Sequence, residues 1–340
     1  MIDKIKGSLI GGAVGDALGY AVEFLTAGII FKIYGEHGIT EYELEDGVAL
    51  ISDDTQMTLF TAEGLLNAQK SYTRPTSGDY IKEIYKSYKD WLTTQKQEYD
   101  IQSYSDSSAL ISDERLYSNR APGNTCLSAL SSGNCGTLDW KINNSKGCGG
   151  VMRIAPIPLF LAREGGMPLA DVDMLAARAA AITHGNVLGY IPAAFVSHVI
   201  GEILLGKEIY TAVESARTVT RELFSDSSEA VEYFDNLIAK AVEYSTETDV
   251  DELDAIRPLG EGWVAEETAA IAVYCALRYS NDFERAIIAS VNHSGDSDST
   301  GAVTGNILGA YLGYSTIPEK FLHNLELSDI LTDFSTKLAK

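Results

Sequence analysis

The sequence predicts an all-α fold, a single compact domain of many helices, on three observations. Apolar residues spaced three and four apart recur along most of the 340 residues. These runs do not alternate with strand-like runs, which argues against a parallel sheet with crossover helices. Glycines recur every fourth residue at both ends of the chain: Gly7, Gly11, Gly15 and Gly19, then Gly301, Gly305, Gly309 and Gly313. Residues four apart share a helix face, drifting about 40° per step. Each glycine costs a helix about 1 kcal/mol relative to alanine, so two such stripes need a compensating contact. They predict two helices packed backbone to backbone at the centre of the fold. A nucleotide-binding glycine loop is the poorer account, since no G-x-G-x-x-G is present and no strand-like run precedes the first stripe.

The first helix is predicted over 3–20, with Ile5, Leu9, Ile10, Val14 and Leu18 apolar and Asp16 inside it. Residues 29–51 read as irregular, with short extended pieces around Ile39–Tyr42. Helices follow over 54–68 and 77–94. The polar, Ser-, Asp- and Tyr-rich stretch 96–125 reads as a long loop that ends in a turn and a helical start. Residues 133–150 form a Gly- and Asn-rich loop, and glycines ahead of a helix can offer N–H groups to a phosphate. Helices are then predicted over 155–164, 169–183, 186–205, 208–223 and 227–244. His184 falls in a break between two of them, a position that by itself suits a cap or a core residue. Residues 245–262 read as an acidic loop, followed by helices over 263–279, 282–291, 299–314 and 327–338. There is no fixed-period repeat and no Pro/Gly/Ser linker that would divide the chain.

Composition narrows the function. Hydrophobic residues make up 45% of the chain, enough for a large core, and the net charge is −22. Such a surface repels nucleic acid and anionic membranes, so neither is an expected partner. Four cysteines, Cys126, Cys135, Cys148 and Cys275, have no C-x-x-C or zinc spacing, which predicts a reduced, cytoplasmic protein. No signal-peptide core follows Met1, and no apolar run approaches the ~18 residues that span a bilayer.

Two acidic clusters stand out. Ser52-Asp53-Asp54-Thr55 precedes one apolar helical run, and Gly295-Asp296-Ser297-Asp298-Ser299-Thr300-Gly301 precedes another. For Asp296 and Asp298 to meet one point the segment must be a tight loop, which Gly295 and the Ser/Asp content favour, with Asp298 or Ser299 capping the helix behind it. Each cluster also reads as a plain helix start, where acids offset the dipole by roughly 0.3–1 kcal/mol. Charge balance argues for more. No Lys or Arg lies between Lys32 and Lys70, or between Arg285 and Lys320. If the carboxylates converge, a cation must hold them together. All-oxygen donors suit a hard divalent ion such as Mg²⁺ or Mn²⁺.

Taken in order, six stretches resemble the ADP-ribosylglycohydrolase family, that of dinitrogenase-reductase-activating glycohydrolase and the ADP-ribosyl-acceptor hydrolases. They are Gly11–Gly19 with Glu23-Phe24; Ser52–Thr55; Gly149-Gly150-Val151-Met152-Arg153-Ile154-Ala155-Pro156; Thr183-His184; Gly262-Trp263-Val264-Ala265-Glu266-Glu267; and Gly295–Gly301. The resemblance runs from about residue 5 to 315. It implies a compact all-helical enzyme with two Mg²⁺ or Mn²⁺ ions that releases ADP-ribose from modified side chains. It further implies metal ligation by Ser52, Asp53, Asp54, Asp296, Asp298 and Ser299. Catalytic parts fall to Glu23, Asp54 and Asp298, and ADP-ribose binding to Gly123, Asn124, Gly147, Cys148, Gly149, Met152 and His184. The nitrogenase-regulating members carry Asp-x-Gly-Asn where this chain has Ala121-Pro122-Gly123-Asn124, so their carboxylate is Ala121 here.

The expected activity is metal-dependent hydrolysis of ADP-ribosyl-arginine on protein substrates by a monomeric N-glycosyl hydrolase. The alternatives are another ADP-ribosyl linkage (serine, a nucleic-acid base or a small ester), or a non-catalytic binder that blocks an ADP-ribosylating toxin. An isoprenoid synthase would want D-D-x-x-D, and Asp53-Asp54-Thr55-Gln56-Met57 lacks the last Asp.

Overall fold

The computed structural model describes residues 1–100, 109–163, 166–247 and 249–340. Its helices are α1 (Ile2–Tyr20), α2 (Ala27–Tyr34), α3 (Asp53–Ser71), α4 (Ser77–Lys96), α5 (Asn124–Ser131), α6 (Pro156–Leu161), α7 (Leu169–Ala181) and α8 (Val187–Leu204). The second half adds α9 (Ile209–Leu223), α10 (Ser228–Thr246), α11 (Glu252–Ile256), α12 (Ala265–Arg278), α13 (Phe283–Val291), α14 (Ser297–Leu312), α15 (Glu319–Leu322) and α16 (Ser328–Leu338). Extended pairing among the described residues is limited to isolated bridges, one of them between Gly147 and Val264.

The two glycine stripes meet. Helices α1 and α14 run antiparallel with Gly7 against Gly309, Gly11 against Gly305 and Gly15 against Gly301. A Cβ placed on any of these glycines would overlap backbone of the opposite helix. Ser8 Oγ donates to the Asn306 carbonyl and Asn306 Nδ2 donates to the Ser8 carbonyl, each at 2.8 Å, which locks the register. The pairing departs from expectation at one end. Gly313 lies outside α14 and terminates it at φ +87°, a conformation glycine adopts without strain. At the other end Gly19 meets the backbone of Ser297.

Around this seam, α12, α13, α8 and α3 pack on α14, and α16, α13 and α3 pack on α1. Helix α8 corrects one expectation. Val187–Leu204 is apolar and long enough to cross a bilayer, with mean hydropathy 1.6, yet 83% of it is buried inside the fold. It is hydrophobic on every face because other helices surround it.

Other differences are local. Residues 29–34, read as part of the irregular 29–51 stretch, belong to α2, begun after Thr26 and ended by Gly35 at φ +89°. The extended piece at Ile39–Tyr42 finds no strand partner among the described residues. The Asn292 amide accepts from the Ile39 N–H (2.7 Å) and donates to its carbonyl (2.9 Å), satisfying the backbone without a sheet. The acidic loop 245–262 contains α11, capped by Asp251, and α15 was not foreseen. Part of the predicted 96–125 loop (101–108), the end of the predicted 155–164 helix and residue 248 lie outside the described residues.

Candidate metal centre and substrate cleft

The antiparallel seam decides where the site forms. Because Gly19 meets Ser297, the C-terminal end of α1 lies beside the N-terminal end of α14. The turn after α1 carries Glu23, and the start of α14 carries Asp296 and Asp298. Carboxylate oxygens of Glu23, Asp296 and Asp298 come within 4.8 Å of one another. The start of α3 joins them through Asp16, inside α1. Its two oxygens accept from the Ser52 N–H (2.9 Å) and the Thr55 N–H (3.0 Å). The Asp53 N–H is fixed by the Arg120 carbonyl at 3.1 Å.

Both acidic clusters are helix starts. Ser52 caps α3, accepting from the Asp54 N–H at 3.2 Å, so Asp53 and Asp54 occupy its first turn. Asp296, rather than Asp298 or Ser299, caps α14, accepting from the Ser299 N–H at 3.3 Å. The helix begins two residues earlier than predicted, so Asp298 belongs to its first turn. A cap residue and a first-turn side chain can both face the helix N-terminal end, which brings carboxylates two apart to one place.

These groups sit in a cleft of about 580 Å³, lined by Glu23, Asp53, Asp54, Asp296, Asp298 and Ser299. Of the anticipated binding residues, Gly123, Asn124, Gly147, Cys148, Gly149, Met152 and His184 all line it too. Ser52 is fully buried behind the lining, its hydroxyl turned to Asp298 and the cap. The Gly123 N–H donates to Asp53 Oδ2 at 3.2 Å, and the Cys148 thiol donates to Asp296 Oδ2 at 2.9 Å. The glycine loop 147–150 is held against the start of α12 by the Cys148 N–H to Trp263 carbonyl bond (3.3 Å), the Ala265 N–H to Lys146 carbonyl bond (2.9 Å) and the Lys146–Glu266 ion pair.

The electrostatics are one-sided. No Lys or Arg is among the described lining residues. Burial, and then the neighbouring Asp298 charge, push Asp53 and Asp54 well above the usual carboxylate range; Asp296 is raised by the same two causes. Glu23 rises to about 10 and Asp16 to about 7 for the same reasons. Asp54 Oδ1 and Glu23 Oε2 are buried with no hydrogen-bond partner. Orphaned carboxyl oxygens, oxygen donors from the acidic side chains and an absence of Lys and Arg from the described lining fit a hard divalent ion. Arg153 is buried beneath the cleft against Cys126, Thr183 and the Tyr88 ring, and it lowers Asp53 only at a distance. Burial and that guanidinium hold His184 down to about 3, so its imidazole is neutral at ordinary pH.

Several residues at or behind the cleft went unassigned from sequence, among them Asp16, Phe24 and Trp263. Asp16 carried a weak signal, a charge inside a glycine stripe with no cation near it. Phe24 and Trp263 also line the cleft, quoted within motifs but given no part.

A family model described as ADP-ribosylglycohydrolase matches residues 1–340. The chain belongs to the ADP-ribosylglycohydrolase family. Among relatives, ADP-ribosylhydrolase ARH3 of Bos taurus is 27% identical over 202 residues, 54% of this chain and 54% of that one, so the match spans about half of each. ADP-ribosylarginine hydrolase Tri1 of Serratia proteamaculans is 25% identical over 341 residues, 99% of this chain and 79% of the relative. A solved ADP-ribosylglycohydrolase-related protein complex shares the fold, with TM-score 0.59 and 23% identity over 99% of this chain and 97% of the other. Membership in the ADP-ribosylglycohydrolase family supports ADP-ribosyl hydrolase activity.

Proposed function

We propose that this protein is a metal-dependent hydrolase that releases ADP-ribose from arginine side chains of modified proteins. The observation that carries this is the convergence of two distant helix starts on one cation-free cleft with unpartnered carboxylate oxygens. Its volume is in the range of small-molecule sites. Asp53, Asp54, Asp296 and Asp298, with the hydroxyls of Ser52 and Ser299, would hold two Mg²⁺ or Mn²⁺ ions. Such ions, when bound, supply Lewis acidity toward sugar hydroxyls and lower the pKa of a water.

The chain's own residues supply the rest. Glycosidic cleavage at the ribose C1″ passes through an oxocarbenium-like state, which nearby carboxylates stabilise. Glu23 is placed to take the proton of the attacking water once bound cations offset the Asp298, Asp296 and Asp53 charges that add to burial in raising its pKa. Asp54 and Asp298 orient the sugar through the centre. Ala121, at φ +49°, offers a methyl group on the cleft wall and no acid, and with Asp53, Asp54, Asp296 and Asp298 assigned to the ions Glu23 is the remaining lining carboxylate. Gly147, Cys148 and Gly149, with Asn124 at the start of α5, line the cleft and would receive the diphosphate. His184, neutral, adds a donor without adding charge. The relative named for ADP-ribosylarginine supports the arginine linkage. Four unpaired cysteines suit a reducing, cytoplasmic setting.

The test is ADP-ribose release from an arginine-modified protein after EDTA treatment, with and without added Mn²⁺. Asp54→Ala combined with Asp298→Ala should abolish release. Release that persists in that double variant overturns the assignment.

A further inference from the structure

One feature of the cleft is not needed to hold ions or diphosphate. Phe24 is 72% exposed and Trp263 is 39% exposed, although both are large and apolar. Their rings stack with centroids 5.9 Å apart and planes 24° from parallel. They come from elements far apart in the chain. Phe24 follows Glu23 in the turn after α1, while Trp263 precedes α12 and its carbonyl holds the Cys148 N–H of the glycine loop. The backbone behind Trp263 is fixed, with the Gly262 carbonyl accepting from Thr268 Oγ1 at 2.7 Å and the Gly262 N–H donating to Glu267 Oε2 at 3.2 Å. A rigid, exposed aromatic pair at the rim of a binding cleft is a surface for a planar ligand group.

Charge decides which group. The cleft's ionisable lining is Glu23, Asp53, Asp54, Asp296 and Asp298 with a neutral His184, and it holds no Lys or Arg. With two divalent ions bound, the five carboxylates still leave the lining without net positive charge, so a planar cation is admitted there, and ring faces favour a guanidinium in particular. Phe24 adjoins Glu23, the residue assigned to the scissile bond, so the platform borders the leaving group.

We propose that Phe24 and Trp263 form the acceptor platform, receiving the guanidinium of an ADP-ribosylated arginine and setting linkage preference; this rests on the hydrolase reading above. A serine hydroxyl has neither the plane nor the charge to use it.

The experiment compares wild type, F24A, W263A and W263F on matched arginine-linked and serine-linked ADP-ribosyl peptides in saturating Mn²⁺. Calorimetry measures the Kd for free ADP-ribose, and circular dichroism checks the fold. The ratio of arginine to serine kcat/KM should fall roughly 5- to 30-fold in W263A and F24A, the span of a desolvated cation–π contact. W263F should recover most of it. The Kd for ADP-ribose should move less than about twofold, since the product lacks the acceptor. A ratio that stays constant overturns the platform, and a weakening of ADP-ribose binding that matches the kinetic loss reassigns it to adenine. Wild-type protein inert on every ADP-ribosyl linkage instead overturns the hydrolase reading, a result distinct from active enzyme with an indifferent Trp263.

Discussion

The starts of α3 and α14 carry the same chemistry and are held in opposite ways. Each places two aspartates at a helix N-terminus, and each aims them at the same cleft. Helix α14 is placed by backbone: its glycines lie on those of α1 with no room for a Cβ. Helix α3 is placed there by a side chain, Asp16, bridging two of its N–H groups. One half of the centre is therefore built into the core of the fold. The other packs on that core and has its N-terminal end tied to α1 by one carboxylate, Asp16. Damage to the first should cost folding, and damage to the second should cost metal binding.

The largest expected effect follows from the seam. Gly15→Val drives a side chain into the Gly301 carbonyl and should destabilise the protein by at least about 4 kcal/mol, if it folds at all. Gly28→Ala in α2, where a Cβ meets nothing within 4 Å, should instead be neutral or stabilise by about 0.5 kcal/mol. Chemical denaturation of both variants measures the contrast. A well-folded Gly15→Val with native stability removes the basis of the comparison.

At the α3 start, Asp16→Asn should leave the fold intact but loosen Ser52 and Thr55. We expect a loss of roughly 10- to 100-fold in Mn²⁺ affinity, as for other residues that orient metal ligands. Metal titration by calorimetry decides it, and unchanged affinity shows that α3 is positioned by something else.

Acidity separates the empty centre from the loaded one. Asp16 has a folded pKa of about 7 against 3.8 for the free residue. The folded chain thus holds a proton the unfolded chain releases. That contribution is complete below about pH 4 and is lost as pH rises through 7. Asp53, Asp54 and Asp296 shift the same way and extend the loss to higher pH. In EDTA the Tm should fall between pH 5.5 and pH 8, and Mg²⁺ should raise Tm more at pH 8 than at pH 5.5. An equal rise at both values contradicts an ion bound by these carboxylates. The smallest effect belongs to Cys148→Ala, which removes only a weak thiol donor from Asp296 and should lower metal affinity about two- to fivefold.

Much of this arrangement was legible in the chain. The paired glycine stripes predicted the central contact because repeated glycine in a helix demands a compensating one. The deficit of Lys and Arg around each cluster predicted that the carboxylates would lack cationic partners. The start of α14 was misplaced by two residues because Ser297 and Asp298 suit a loop and a first helical turn equally well. Helix α2 was missed although Thr26 and Gly35 mark its ends, since eight residues show too few turns for a clear period. Phe24 and Trp263 sit 239 positions apart, and no local pattern announces that their rings will touch.

The sequence by itself determined that helices would form, that two of them would meet along glycine, and that four aspartates would lack local cationic partners. These follow from propensity, spacing and charge, which are properties of neighbouring residues. Only the tertiary structure decided that Glu23 joins Asp296 and Asp298, that Asp16 carries α3 to them, and that an aromatic pair closes the rim. Those depend on the antiparallel sense of the α1–α14 seam, which sets which ends lie together, and that sense is a property of the packed molecule.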